Sequence, residues 1–296
     1  MKSFKKILAI TLLVFGSSVL FAQQDAHANL YKYNMNVINP AYAGADGSLL
    51  TTNIRSQWVN VAGSPETQTI SLGLPMNDKV GIGLSIVNDK VFVLKETDVY
   101  VDFSYKLPMS EGNDLFLGLK AGGSFFNVDL NSVGAPVTDP LFTQNISQFN
   151  PNVGVGLYYK AEKYFFNLSV PALLSSKRYE KSGVLVSKAT DKMHVYAGAG
   201  YEFGLNENIN FIPSLMARMV AGSPVSLDLT GTFDIYDKVE LGATYRLSES
   251  ISGIALFKLA DWMQFGYSYE HATTDVSNYS SGTHEAILRF NLNSSK

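Results

Sequence analysis

The sequence contains no cysteine, only two tryptophans and a single extended apolar run. Without cysteine there is no disulfide framework, no thiolate metal site and no acylation point for a lipoprotein anchor. The apolar run covers residues 7–15, and no later segment supplies the ~20 uninterrupted apolar residues that a transmembrane helix requires. We therefore expect that the chain after this run has no helical route into a membrane.

The start of the chain has the layout of a secretory leader. Three lysines within the first six residues precede the apolar run, and small residues then lead to Ala22, which is followed by Gln23 and Gln24. A basic start, a short apolar core and a small residue at the cleavage point are the marks of a signal peptide. The sequence therefore predicts a signal peptide over residues 1–22.

Positive charge is scarce in the rest of the chain. The whole sequence has 23 basic and 26 acidic groups, a net charge of −3, and three of the basic groups belong to the leader. Removing these three leaves 20 basic against 26 acidic groups and a net charge of −6. Because nucleic-acid binding depends on concentrated positive charge, we expect no nucleic-acid partner.

What the chain has in abundance is alternation between apolar and polar residues. In residues 225–235 nearly every second residue is apolar, and the residues between them carry hydroxyl or carboxylate groups. A period of two predicts a strand with one apolar and one polar face. Repetition of such strands, together with 16 tyrosines for interfacial girdles, predicts an all-β transmembrane antiparallel up-and-down β-barrel of bacterial outer-membrane type. A soluble, secreted β-sandwich rich in tyrosine is the alternative.

Fourteen segments fit this pattern. The predicted strands are residues 50–58, 67–74, 80–87, 97–106, 114–125, 152–159, 163–170, 193–203, 208–219, 225–235, 238–246, 251–258, 262–270 and 283–292. Joins after even-numbered strands are short, and several joins after odd-numbered strands are long. Bacterial barrels have short periplasmic turns and longer external loops, so we expect both termini in the periplasm.

Charged residues of both signs fall on the inward face of this register. The polar residues predicted to face the lumen are Asn53, Arg55, Lys120, Arg218, Asp228, Asp234, Glu240, Arg246, Glu285 and Arg289. Mixed signs favour ion pairs that close the interior, whereas a ring of one sign would select ions. Solvated side chains in an open pore are the alternative, and the sequence leaves that choice open.

Residues 23–47 fit no transmembrane strand. The stretch is punctuated by asparagine, proline and glycine but still carries Leu30, Tyr31, Tyr33 and Tyr42, which is too aromatic for a flexible tail. We predict three parts: a signal peptide at residues 1–22, an N-terminal periplasmic or plug segment at 23–47, and the outer-membrane barrel at 48–296.

Side chains suited to catalysis or metal binding are few. The four histidines, His27, His194, His271 and His284, have no second histidine at metal-ligand spacing, and no Gly-x-Ser-x-Gly elbow is present. His271 lies beside a short polar loop, where a solvated histidine is favoured over a catalytic one. We therefore expect no enzyme activity, no catalytic residue, no metal and no cofactor.

Two predicted external loops carry apolar residues within a polar frame. The candidate partner-binding residues there are Val137, Leu141, Phe142, Phe149, Leu174, Tyr179 and Leu185. Exposed apolar residues at this density mark a partner-binding surface. The alternative is that the loops fold inward and constrict the pore.

Six short motifs occur in a characteristic order along the mature chain. They are Asn39-Pro40-Ala41-Tyr42-Ala43-Gly44, Arg55-Ser56-Gln57-Trp58, Gly63-Ser64-Pro65-Glu66-Thr67, Gly81-Ile82-Gly83-Leu84-Ser85, Pro151-Asn152-Val153-Gly154-Val155-Gly156-Leu157-Tyr158-Tyr159 and Gly282-Thr283-His284-Glu285. In order and spacing they resemble the PorP/SprF family of outer-membrane proteins associated with the type IX secretion system.

The resemblance implies a non-enzymatic barrel that supports export or cell-surface attachment of a large partner, such as an adhesin with a type IX sorting domain, and in some bacteria gliding motility. It also implies contact with other envelope components of that machinery. An outer-membrane solute channel or hydrophobic-substrate transporter is the alternative function. Family-signature positions expected to contact the plug or lumen, with Arg55 and Gln57 as anchors and Trp58 as a girdle residue, are Asn39, Pro40, Tyr42, Gly44, Arg55, Gln57 and Trp58.

Overall fold

The computed structural model describes residues 28–110, 112–129, 146–174 and 192–293, and these residues form one closed antiparallel sheet. The strands are β1 (Leu49–Ser56), β2 (Glu66–Pro75), β3 (Val80–Val91), β4 (Leu94–Ser110), β5 (Asn113–Val128), β6 (Ile146–Lys160), β7 (Tyr164–Val170), β8 (His194–Tyr201), β9 (Phe203–Asn206), β10 (Ile209–Val220), β11 (Ser226–Ile235), β12 (Val239–Arg246), β13 (Ser250–Ala260), β14 (Met263–Ala272) and β15 (Thr283–Asn291).

The sheet is a barrel with 14 strand positions. β8 and β9 both pair with β10 and form two parts of one strand position. The ring closes because β1 pairs with both β2 and β15, placing Arg55 directly opposite Glu285 on one side and Thr67 on the other. Closure satisfies backbone groups that an open sheet edge would leave unpaired in lipid. The predicted fold class is confirmed.

The two faces of the wall separate polar from apolar side chains. On β11, Asp228 and Thr232 face inward with at most 1% of their surface exposed, whereas Leu229 and Phe233 face outward and are more than 40% exposed. On β15, Glu285 and Ile287 face inward. An apolar outer surface around a polar interior is the arrangement expected of a barrel in lipid.

The wall is much taller on one side than on the other. β4, β5 and β6 have 17, 16 and 15 residues, whereas the neighbouring β7 has 7, and β8 and β9, which share one strand position, have 8 and 4. The strands predicted from the sequence are shorter than the observed ones on this side. Residues 88–96 are predicted as a connection, but almost all of them extend β3 and β4, which a tight turn joins. Phe92 makes the turn in the left-handed region, with φ of 53°.

Phe149 corrects the predicted boundaries of the external loops. It lies within β6, opposite Phe125 of β5, and the two ring centroids are 4.7 Å apart. Both rings are about half exposed on the outer face of the barrel. The prediction that Phe149 belongs to a loop is wrong, because the β5–β6 ladder continues up to the pair Val128 and Ile146.

Helical structure in the described ranges is limited to short turns. Three 3-10 helices, Tyr31–Tyr33, Met35–Val37 and Pro40–Tyr42, precede β1, and a fourth, Asp275–Asn278, lies between β14 and β15. Within the described ranges, no helix has the length and apolar character needed to cross a membrane.

The outward face provides a test of the membrane placement. We expect Val101→Arg, at the centre of β4 where the side chain is 58% exposed, to destabilise the barrel in lipid vesicles by about 2–4 kcal/mol. Tyr279→Arg is the control, because Tyr279 is 79% exposed and lies in the connection between β14 and β15. Urea unfolding of both variants in vesicles gives the measurement, and equal effects would contradict the assignment of Val101 to the lipid face.

Candidate functional site

The chain ahead of β1 lies inside the barrel. We call residues 28–48 the lumen segment, and its three 3-10 helices turn it repeatedly within the available space. The last of these helices begins at Pro40, whose fixed φ suits the first position, and the Asn39 side chain caps it by accepting a hydrogen bond from the Ala41 amide at 3.0 Å. The motif beginning at Asn39 therefore forms a compact turn.

Wall glycines allow the backbone of the lumen segment to lie directly against the strands. A Cβ atom added to Gly81 would lie 2.0 Å from the Ala43 carbonyl oxygen, and one added to Gly118 would lie 2.2 Å from the Ala41 nitrogen. Contacts this short are impossible for a side chain at either position. Two strands, β3 and β5, therefore carry glycine where the lumen segment approaches them most closely.

The same close approach occurs at β6. A Cβ atom on Gly156 would lie 2.0 Å from the Asn39 Oδ1 atom. The Asn39 side-chain Nδ2 group also donates a hydrogen bond to the carbonyl oxygen of Leu157 at 3.1 Å. Asn39 thus caps its own helix with its oxygen and binds the wall with its nitrogen.

Apolar side chains of the lumen segment meet inward-facing apolar residues of the wall. Leu30 and Tyr33 pack with a patch on β13 and β15 formed by Ile254, Leu256 and Ile287. A second contact stacks the ring of Tyr42 on that of Tyr158, with the centroids 3.8 Å apart. Remaining contacts join Met35 with Tyr196 and Met216, and Ala41 with Phe116 and Tyr158. These patches would face water if the segment left the lumen.

Polar groups of the wall satisfy backbone carbonyl groups of the segment. The Lys120 ammonium donates to the Asn36 carbonyl at 3.1 Å and forms an ion pair with Asp102 at 2.7 Å. The Ser104 hydroxyl donates to the Ala43 carbonyl at 2.6 Å, and the Ser169 hydroxyl donates to the Ile38 carbonyl at 2.8 Å. Irregular backbone at this depth requires such partners, because lipid supplies none and little water reaches it.

Glu285 binds the first described residues of the segment. Its Oε2 atom accepts from the Asn29 amide at 2.7 Å and from the Arg55 guanidinium at 3.2 Å. Its Oε1 atom accepts from the Leu30 amide at 3.1 Å and from the Asn53 side chain at 2.7 Å. One buried carboxylate therefore has four donors, two from the lumen segment and two from β1.

The charges around Glu285 extend along the barrel wall. Glu270 pairs with Arg55 at 3.5 Å and with Arg246 at 3.3 Å. Arg246 pairs with Asp228 at 2.9 Å and donates to the Asn29 Oδ1 atom at 3.3 Å. The five charged groups form one buried network of both signs, as buried charges require. We call it the seam network, because it spans the β1–β15 junction.

Two further ion pairs hold the segment at other positions. Lys32 pairs with Glu240 of β12 at 2.6 Å, and Asp46 pairs with Lys160 of β6 at 2.8 Å. Lys32 and Asp46 are the charged side chains of residues 28–48, because tyrosine phenols are neutral at physiological pH. The segment therefore places its formal charge only on side chains that have ionic partners.

The predicted family-signature residues divide between the lumen and a turn. Asn39, Pro40, Tyr42 and Gly44 belong to the lumen segment, and Arg55 belongs to the seam network. Gln57 and Trp58 follow the end of β1. The observed strand therefore ends two residues before the end predicted for it at residue 58. Trp58 has φ of 50°, and its amide donates to the Thr283 hydroxyl at 3.2 Å.

The predicted loop residues are only partly covered by the structure. Val137, Leu141, Phe142, Tyr179 and Leu185 lie outside the described residues. Leu174 is half exposed beside β6, where its backbone exchanges two hydrogen bonds of 2.8 Å with the Asn152 side chain. Within the described ranges, no cluster of three or more His, Asp or Glu residues is arranged to hold a metal ion.

The wall residues that receive the segment were not predicted from the sequence. Glu285 was predicted to face the lumen, but no partner was assigned to it. Gly-x-Gly patterns on β3, β6 and β8 were the available signal, because glycine within a strand often marks a close backbone approach. Of these glycines, Gly81, Gly83 and Gly156 are the ones that face the segment.

A closed barrel with an apolar outer face and a polar, ion-paired interior defines an outer-membrane β-barrel protein. The chain belongs to the PorP/SprF family, described as type IX secretion system membrane proteins, and the match covers residues 20–290. The membership predicted from the motifs is confirmed.

A comparison with solved structures also finds matches, each with low sequence identity to this chain. Omp33 of Acinetobacter baumannii is 9% identical, with 83% of this chain and 97% of that chain covered and a TM-score of 0.48. A Pseudomonas aeruginosa FadL homologue is 11% identical, with coverages of 86% and 92% and a TM-score of 0.47. The NanC porin is 9% identical, with coverages of 83% and 100% and a TM-score of 0.43. A comparison with curated proteins finds no match.

The glycine contacts predict where the wall tolerates a methyl group. We expect Gly118→Ala to lower stability in vesicles by about 1–3 kcal/mol, the usual effect of overpacking, because the added Cβ meets the Ala41 nitrogen. Gly253→Ala is the matched control, since a Cβ there has no neighbour within 4 Å. Urea unfolding and hydrogen exchange of residues 28–48 provide the measurements. Equal effects of the two substitutions would contradict the close approach.

Proposed function

We propose that this protein is a non-enzymatic accessory of type IX secretion that supports export or cell-surface attachment of a large partner protein. The partner class we propose is a secreted protein, such as an adhesin, that carries a type IX sorting domain. The observation that carries the proposal is the filling of the lumen by residues 28–48 in a member of this secretion family.

The filled lumen favours a holding role over a conducting one. Leu30, Ala41 and Asn39 of the segment have no exposed surface, and inward residues of the wall such as Asp102 are equally buried. A cavity beside Lys32, Tyr42 and Arg289 has a volume of about 30 Å³, room for about two water molecules. A solute path along this level would require the segment to move and its apolar partners to enter water.

We propose the arrangement in the membrane from the connection lengths. The edge with long connections faces the cell exterior, and the edge with short turns faces the periplasm, where the C-terminal strand ends. The predicted signal peptide and residues 23–27, which lead into the lumen segment, lie outside the described ranges, as does the N-terminus expected in the periplasm. In this proposal residues 23–47 act as a plug of the barrel formed by residues 48–296.

The partner-binding surface in this proposal lies on the long connections. Residues 129–145 join β5 to β6, and residues 171–193 join β7 to β8. Their apolar side chains, including Val137, Leu141 and Phe142, would bind the partner through burial of apolar surface. In this proposal, attachment of such a partner to the cell surface also serves gliding motility.

A comparison of two loop variants tests this surface. We expect the triple substitution Val137→Ser, Leu141→Ser, Phe142→Ser to reduce recovery of the sorting-domain protein about tenfold or more from gently solubilised outer membranes, since apolar contacts at the centre of an interface dominate binding. Tyr279→Ser, in the connection before β15, is the control and should leave recovery unchanged. Affinity capture of the tagged barrel with quantitative mass spectrometry gives the ratio.

Conductance separates this role from a solute channel. We expect the purified wild-type barrel to give no steady current in planar bilayers, because residues 28–48 fill the lumen, whereas a general porin in the same bilayer conducts. Steady conductance, together with no specific capture of a sorting-domain protein, would contradict the proposal and favour the solute channel or transporter.

A further inference from the structure

The last strand of the barrel contacts both the first strand and the lumen segment through the same side chains. β15 closes the ring by pairing with β1 from Ser56 and His284 to Leu49 and Asn291. Its inward residues Glu285 and Ile287 lie at this junction and are each only 1% exposed. The junction between the two ends of the barrel is therefore also a contact site for the lumen segment.

Each oxygen of the Glu285 carboxylate joins the segment to β1. Oε1 receives one hydrogen bond from Leu30 of the segment and one from Asn53 of β1, and Oε2 receives one from Asn29 and one from Arg55. These donors come from two parts of the chain that lie more than 220 residues before Glu285.

Ile287 supplies the apolar half of the same contact. It lies two residues after Glu285 on the inward face and packs with Leu30 and Tyr33 of the segment. Its cross-strand partner on β1 is Asn53, the residue that also donates to Glu285. The register that closes the barrel therefore aligns the polar and apolar contacts at once.

We propose that Glu285 is a positioning residue that couples docking of the lumen segment to closure of the β1–β15 seam. With the segment absent, water in the lumen replaces the two amide donors, so the carboxylate loses the net stabilisation of two fixed, charge-assisted hydrogen bonds. The seam therefore closes more readily when the segment is already seated.

The order of the chain supports this coupling. The segment directly precedes β1, and β15 is the last strand in chain order, so a β1–β15 pairing that forms last in folding would enclose a segment already seated in the lumen. The closed form is thereby favoured when the lumen is filled. An empty barrel would have the same strand pairs but would lack two of the bonds that stabilise the seam.

The test compares two carboxylates that both contact the segment. Glu285 lies at the seam, whereas Glu240 binds Lys32 from β12, which is three strands away from β15 along the sheet. We expect Glu285→Gln to slow the appearance of the closed, heat-modifiable barrel in vesicles about tenfold, the factor that corresponds to about 1.4 kcal/mol. Glu240→Gln should leave the closure rate within about twofold of wild type, because it weakens one ion pair away from the seam.

A second pair of variants leaves the seam contacts of Glu285 intact. Leu30→Pro removes the Leu30 amide donor, and Leu30 has φ of −89°, close to the range that proline adopts. Leu30→Ala removes apolar packing but retains the amide. We expect Leu30→Pro to slow closure more than Leu30→Ala, although both retain Glu285, Asn53 and Arg55.

Exposure of the segment is followed with a single introduced cysteine. Because the chain contains no cysteine, Ala28→Cys provides a unique site for a maleimide reagent. In the Glu285→Gln background we expect labelling at residue 28 to increase in proportion to the fraction of molecules whose barrel has not closed.

Two results would overturn the proposal. One is an equal effect of Glu285→Gln and Glu240→Gln on the closure rate. That result would mean that any lost contact with the segment slows closure to the same extent, wherever the contact lies. The other is an equal effect of Leu30→Pro and Leu30→Ala on the closure rate. That result would mean that the hydrogen bond from the Leu30 amide to Glu285 does not influence closure of the seam. If Glu285→Gln gives no closed barrel, the Leu30 pair alone decides, because both of those variants keep the carboxylate.

Discussion

The fold depends on satisfying a polar backbone inside a barrel. A segment of about twenty residues without strand pairing carries many amide and carbonyl groups, and burial makes each unsatisfied group costly. The wall meets this requirement with a few well-placed side chains: Glu285 for two amides, and Lys120, Ser104 and Ser169 for carbonyl groups. The polar lumen is therefore organised around the segment as its internal binding partner.

This arrangement gives one physical reason for two sets of sequence motifs. The Asn-Pro-Ala-Tyr-Ala-Gly motif forms a capped turn whose backbone faces outward onto the strands. The side chains that would collide with it are absent because glycine occupies positions 81 and 83 of β3, 118 of β5 and 156 of β6. Neither set has an evident role alone, whereas together they describe the two surfaces of one contact.

The alternation of apolar and polar residues was sufficient to predict the barrel, its 14 strand positions and the inward face of residues such as Asp228 and Glu285. Period two depends only on neighbouring residues, so a sequence read locally contains it. The partners of the lumen segment could not be read in this way, since Asn29 and Glu285 are separated by 256 positions. Phe149 was misplaced because its strand continues beyond the regular alternation, supported by cross-strand pairing with Phe125.

The uneven height of the wall has a consequence for how the barrel fits a bilayer. β7 ends at Val170, opposite Val155 of β6, whereas β5 and β6 continue beyond that level and carry Phe125 and Phe149 on their outer face. The apolar outer surface therefore extends farther along β4, β5 and β6 than along β7. A bilayer of uniform thickness cannot match both sides at once, so a tilt of the barrel axis or a local change in bilayer thickness has to reconcile them.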